Sequence, residues 1–102
     1  MEKPLWQPSE QKKQNSLLED FSKFINFKSD KNFKNLWEWS VKNPEKFWSE
    51  FWDYSKVIGD KGKEIIKKNK IFNQTKFFPD SKINYAENIL KKKNNDTAIH
   101  FL

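Results

Sequence analysis

The sequence predicts a mainly α domain, about four helices behind an extended N-terminal arm. Apolar residues recur at helical spacing between Phe33 and Ser55, and an Asn43-Pro44 step divides that stretch in two. Two four-residue runs, Ser16-Leu17-Leu18-Glu19 and Asn84-Tyr85-Ala86-Glu87, set a capping residue three positions ahead of a glutamate, the pattern that opens helices. Residues 32–54 hold four of the five tryptophans, so the expected core is aromatic and central.

In chain order, residues 1–8 are expected to be extended, because Pro4 and Pro8 each bias the preceding residue away from the helical region. Trp6 lies between them, either as an anchor in a neighbouring groove or as part of a loosely packed terminus. After Ser9 the polar run Glu10-Gln11-Lys12-Lys13-Gln14-Asn15 has room for one helical turn. Ser16 then caps a helix expected to reach Phe27. Leu17, Phe21, Phe24 and Lys28 form its stripe, with Leu18 and Ile25 beside it, and the polar Ser29-Asp30-Lys31-Asn32 ends it.

Phe33, Leu36, Trp37, Ser40 and Val41 fall at i, i+3, i+4, i+7 and i+8 and predict the next helix. Asn43 is the expected N-cap of a further one, with Pro44 at its first position and Glu45 at the positive end of its dipole. On that helix Trp48, Phe51, Trp52 and Ser55 recur at i, i+3, i+4 and i+7, and Phe47 broadens the stripe. Together they make an αα-hairpin whose short linker implies a steep crossing. Trp37 and Trp48, on facing stripes, are expected inside, and Trp39 outside. Gly59 is the expected helix-terminating residue, and Asp60-Lys61-Gly62 reads as a turn. Periodicity leaves Ile65-Ile66 and Ile71-Phe72 as short strands or extended loop. Pro79 closes that region, Asn84 caps a short helix with Tyr85, Ile89 and Leu90 on its apolar side, and Lys91-Lys92-Lys93 begins a solvated turn. Thr97-Ala98-Ile99-His100-Phe101-Leu102 resembles the start of a β-strand with no partner elsewhere, the pattern of a chain cut from a longer protein.

A chain of 102 residues has room for one domain. Seventeen aromatic side chains are more than a core of that size can enclose, which predicts a piece that docks on something larger. The net charge of +6 comes entirely from lysine, with no arginine. Base readout and bidentate phosphate clamps favour the arginine fork, so nucleic acid is not the expected partner. The absence of cysteine rules out a disulfide framework and fits a reducing, cytoplasmic setting. Neither a signal-peptide-like run nor a membrane-spanning apolar stretch occurs in the sequence.

With Gly59 and Gly62 the only glycines, no glycine-rich phosphate loop can be built. His100 is alone, which leaves packing or surface exposure ahead of catalysis or ligation. Glu45, Glu50 and Asp53 share the polar side of one helix, the position of a solvated face. They also oppose a lipid-facing role for Trp48 and Trp52 among Lys42, Lys46 and Lys56, since acids there repel anionic headgroups.

Three stretches together carry a resemblance: Leu5-Trp6-Gln7-Pro8-Ser9; Leu36-Trp37-Glu38-Trp39-Ser40-Val41 with Asn43-Pro44-Glu45 and Phe47-Trp48; and Phe77-Phe78-Pro79 with Ile83-Asn84-Tyr85-Ala86-Glu87-Asn88-Ile89-Leu90. They resemble the N-terminal region of AMP-forming acyl-CoA synthetases, of the adenylate-forming superfamily, and more narrowly its acetoacetate-CoA ligase branch. The chain departs from the common Trp-Phe-Pro-Gly of that family, having Phe77-Phe78-Pro79-Asp80, which implies that position 80 does not require a glycine-only backbone. The resemblance implies that residues 1–93 are an N-terminal cap domain and that residues 94–102 enter the first strand of an α/β AMP-binding domain. It also implies the family's two-step chemistry: ATP and a carboxylate give an acyl-adenylate, then CoA displaces AMP. The family's phosphate loop, adenosine motif and mobile lysine match no position here. No catalytic, cofactor-binding or metal residue is therefore assigned, and ATP, Mg and CoA belong to the full-length enzyme. The implied partner is the adenylating domain of the same polypeptide. The alternatives are a free-standing helical interaction module, or the cap of an acetyl- or propionyl-CoA synthetase.

Overall fold

A computed structural model describes residues 3–27 and 33–102. The chain divides into two compact units, Met1–Ser55 and Lys56–Leu102.

The first unit contains α1 (Glu10–Gln14), α2 (Leu17–Phe24), α3 (Phe33–Lys42) and α4 (Pro44–Tyr54). Ser9 and Ser16 start the first two. Their hydroxyls accept from the amides of Lys12 and Glu19 at 3.3 and 3.2 Å, each satisfying an N–H that a helix start leaves unpaired. α2 stops short of its predicted end. At Asn26 the backbone enters the left-handed region (φ 54°), and the Asn26 and Phe27 amides donate to the carbonyls of Lys23 and Ser22, a Schellman termination. Asparagine tolerates that conformation, so one residue ends the helix. Lys28 of the predicted stripe and the polar residues 29–32 lie outside the described residues.

Asn43 stands at the N-cap of α4 as expected, but its side chain does not do the capping. Its side chain makes no bond to the helix ahead but turns back, Nδ2 donating to the Trp39 carbonyl at 3.1 Å beside the Asn43 amide at 2.9 Å. It therefore closes α3, while its own carbonyl accepts from Phe47 and Pro44 fills the first turn of α4.

Phe21, only 5% exposed, joins α2 to α4. Its ring meets Phe47, Phe51 and Tyr54 edge-on, with centroids at 5.8, 5.9 and 5.2 Å. Those residues stand at i, i+4 and i+7, so the inward face of α4 is rotated from the predicted Trp48/Phe51/Trp52/Ser55 stripe. Phe47 stacks on Phe51 and meets Trp39 and Trp48 edge-on. Phe27, placed by the Schellman turn, also meets Trp39, tilted at 46° with centroids 5.7 Å apart.

The expectation for the tryptophans of α3 is thereby reversed. Trp39 is half-buried between Phe27 and Phe47, whereas Trp37 is 54% exposed, and Trp48 is half-buried rather than enclosed. On α3, Leu36 and Trp39 face inward, and Phe33, Trp37 and Val41, at i, i+4 and i+8, face outward. The apolar arc in the sequence is wide enough for either face. Phe27 and Phe47 select the one that carries Trp39.

Tyr54 adds a polar tie, its hydroxyl donating to Asp20 Oδ2 at 2.9 Å with the Leu17 carbonyl at 3.3 Å. The hydrogen bond to the Asp20 carboxylate, helped by burial and by that charge, pushes the phenol above its ordinary pKa of 10.0.

The second unit is built from short pieces. β1 (Gly59–Asp60) pairs antiparallel with β4 (Lys82–Ile83), and β2 (Ile66–Lys67) with β3 (Lys76–Phe77). Of the ambiguous pair Ile65-Ile66, Ile66 opens β2 and is buried opposite Phe77, while Ile65 lies just before the strand. The other pair is not a strand: Phe72–Gln74 is a single 3₁₀ turn. α5 (Tyr85–Ile89) begins as predicted, Asn84 Oδ1 accepting from the Glu87 amide at 3.0 Å. Asn88 then grips Ile58 at both ends. Its Oδ1 accepts from the Ile58 amide at 2.8 Å and its Nδ2 donates to the Ile58 carbonyl at 3.0 Å, imitating a strand pairing with a side chain. Gly59 is a strand residue, and the left-handed position after α4 is Lys56 (φ 54°). Residues 97–102 form no strand, since no described segment pairs with them.

All five tryptophans lie in the first unit, so their fluorescence reports its unfolding. In urea, Phe21→Ala is expected to remove about 3 kcal/mol, while Trp37→Ala removes less than about 1 kcal/mol. Equal losses would contradict the assignment of inward and outward faces.

For Tyr54 the folded state favours the neutral phenol. Its contribution is thus complete below the unfolded pKa and lost as pH rises through the folded one. In a Tyr85→Phe background, phenolate absorbance should give Tyr54 a higher midpoint than in the same chain carrying Asp20→Asn. An unchanged midpoint would show that Asp20 does not hold it.

Candidate functional site

The sequence candidates for chemistry are not gathered. His100 is exposed and outside any element; Glu45 and Asp53 are exposed along α4, and Glu50 is half-buried. Among the described residues no three His, Asp or Glu are grouped to hold a metal ion, and no helix is long and apolar enough to cross a membrane.

What the fold presents is apolar surface. Phe33, Trp37 and Val41 run along the outer face of α3, each more than half exposed. A groove of about 590 Å³ opens between α1, α2 and α3, with Leu18, Phe27 and Leu36 among its walls and Lys12, Glu19 and Lys23 on its charged edge. Phe33 lines this groove as well, so groove and stripe meet there. The Schellman turn and the Asn43 cap fix the rotation of this surface, because they place Phe27 and Trp39 inward and so turn Trp37 out. In the second unit α5 likewise leaves its predicted apolar side, Tyr85, Ile89 and Leu90, uncovered. A contiguous exposed apolar stripe is a mark of an interaction surface.

The α3 face and, apart from Leu90, the α5 face lie within one matched segment: residues 33–89 fit the family described as acetyl-coenzyme A synthetase N-terminus. The chain belongs to that family. It is similar to the acetoacetyl-coenzyme A synthetase of Rhizobium meliloti (strain 1021), 29% identical over 98% of this chain. Its similarity to the acetoacetyl-CoA synthetase of Gallus gallus is 40% over 64% of the chain, and to that of Macaca fascicularis 31% over 90%. The chain spans 16%, 10% and 14% of the lengths of these three relatives. No solved structure matches it.

The two glycines do not form a phosphate cradle. A phosphate cradle uses glycines to bring backbone amides against a ligand. Here the two glycines are filled against protein instead: a Cβ on Gly59 would lie 2.6 Å from Ile83 Cγ2 and from the Lys82 carbonyl, and one on Gly62 would lie 2.7 Å from Asp80 Cβ. Asp80 itself is outside the left-handed region, as its replacement of the family's glycine implied; Phe78 is the residue at φ 50°.

Sequence reasoning missed Asn88 and the closing role of Asn43. Both are asparagines next to helix ends, where a side-chain amide competes for backbone partners, and only the fold decides which partners it takes.

Gly62→Ala should destabilise the second unit by more than about 1 kcal/mol, since φ +78° and the contact with Asp80 both oppose a methyl group. Faster hydrogen exchange at the Phe78 amide, which donates to Ile65 at 2.7 Å, would report it, and unchanged exchange would contradict it.

Proposed function

We propose that this chain is the helical N-terminal cap of an ATP-dependent acetoacetate-CoA ligase, covering residues 1–93 and entering the adenylating domain over residues 94–102. The parent enzyme would convert acetoacetate, ATP and CoA to acetoacetyl-CoA, AMP and diphosphate. The cap carries no catalytic residue. Its work is to cover the adenylating domain of the same polypeptide, where ATP, Mg and CoA are handled.

The observation that carries this reading is the outward face of α3. Phe33, Trp37 and Val41 sit inside the family-matched segment yet are left uncovered, while the acetoacetyl-CoA synthetases that resemble the chain are several times longer than it. Burying such side chains is worth about 1.5–3 kcal/mol each, enough to hold a cap in place. The acetoacetate preference rests on the similarity to acetoacetyl-CoA synthetases and on the Leu5–Ser9 and Asn84–Asn88 stretches, which favour this branch over the acetyl and propionyl enzymes in the resemblance.

The gene downstream of the Leu102 codon is expected to continue in frame into an adenylating domain. In that full-length product, Trp37→Ala should cost about 2–4 kcal/mol of stability and lower acetoacetyl-CoA formation, against less than about 1 kcal/mol in the 102-residue chain. Equal effects in the two contexts would reject the outer face of α3 as the covered one. A cellular product that ends at Leu102 would favour the free-standing module instead.

A further inference from the structure

The charge of the chain is segregated between its units. Residues 1–55 carry nine lysines and nine acids, whereas residues 56–102 carry eleven lysines and five acids, so the whole net charge of +6 resides in the second unit. Within that unit residues 65–79 contain Lys67, Lys68, Lys70 and Lys76 and no acid.

The β2–β3 pairing concentrates this charge. Ile66 faces Phe77 across the ladder and is buried, and the next pair sets Lys67 directly opposite Lys76 on the other side of the strands. Like charges in register repel and weaken a pairing that has only two residues in each strand. The loop between them is nonetheless held in one form. The Asn69 amide donates to Thr75 Oγ1 at 3.2 Å, and the Ile71 amide to Asn69 Oδ1 at 3.0 Å. The result is a concavity of about 550 Å³ lined by Lys67, Lys68 and Lys76 with Asn73, Gln74 and Thr75, and no carboxylate lines it. Three point charges beside amide and hydroxyl donors suit an anion with several oxygens spread over more than one centre.

We propose that the β2–β3 hairpin is a binding site for an oligophosphate, an anion with two or more linked phosphate groups free in solution. The ligand places negative charge between Lys67 and Lys76, removes their repulsion and draws Lys68 and the side-chain amides of Asn73 and Gln74 onto its oxygens. The site is independent of the apolar faces and of the cap reading.

The test uses the 102-residue chain and sodium tripolyphosphate, followed by calorimetry and by amide chemical shifts. Saturable binding that weakens as salt is raised, with shifts concentrated at residues 66–77, is expected. Lys67→Gln with Lys76→Gln should weaken binding at least tenfold, and Lys68→Gln alone should weaken it less. Lys63→Gln with Lys93→Gln removes the same charge outside the concavity and should change affinity less than twofold. Equal weakening by the two double variants would overturn the site in favour of diffuse attraction, and absence of binding at low salt would overturn it outright. Vesicles of phosphatidylcholine with phosphatidylserine form the second arm. Binding to them that exceeds tripolyphosphate binding and is lost in Lys67→Gln with Lys76→Gln would assign the hairpin to a membrane surface and overturn the proposal.

Discussion

The first unit depends on the edge-to-face meeting of Phe21 with Phe47. Through it α2 is fixed against α4, and because Phe47 also meets Trp39, α3 is held by the same ring. An aromatic face carries partial negative charge and its edge partial positive charge, so perpendicular rings attract where a face-to-face sandwich would not. Phe21 has three such neighbours and Phe47 three edge-on neighbours plus a stacked Phe51. The rotations of α2, α3 and α4 are thus tied to a few centroid distances near 6 Å rather than to a broad aliphatic core. Leu36 and Phe21 are the first unit's buried apolar side chains among the described residues.

That dependence explains what the sequence could and could not reveal. Helix existence was legible, because capping patterns at Ser16 and Asn84, the Pro44 start and helical periodicity are local, and each corresponds to a helix. Rotation was not. On α3 the apolar residues span an arc that includes both the Leu36/Trp39 line and the Phe33/Trp37/Val41 line, and no local rule chooses between them. The choice is made by Phe27, whose position follows from a left-handed Asn26, and by Phe47 on another helix. Trp39 and Trp37 exchange their expected roles for this reason. The candidate surface was legible as a set of residues but not as a direction in space.

The second unit obeys a different economy of contacts. Its strands are two residues long, Ile66 is its buried apolar side chain among the described residues, and side chains stand in for missing ladder bonds. Asn88 pairs with both backbone groups of Ile58, and Asn69 with Thr75 shapes the hairpin loop. Such bonds are specific in geometry but contribute only about 0.5–1.5 kcal/mol each, so they define a shape without supplying much stability. Residues 97–102 pair with no described segment, as the sequence expectation of a strand without a partner in this chain implies. An alternating apolar segment becomes a strand only when another backbone satisfies its amides and carbonyls, and no described segment does so.

The aromatic excess that first marked this chain is therefore divided between two physical tasks. Phe21, Phe27, Trp39, Phe47, Phe51 and Tyr54 are consumed in holding helices together. Phe33, Trp37, Phe72 and Tyr85 add nothing to that network and remain exposed to water. A sequence under pressure only to fold would gain from polar residues at those exposed positions, because uncovered rings favour aggregation over the monomer. The capping and turn residues around them are locally consistent, so the exposed rings are the places where the sequence departs from what the folding of the two units alone requires.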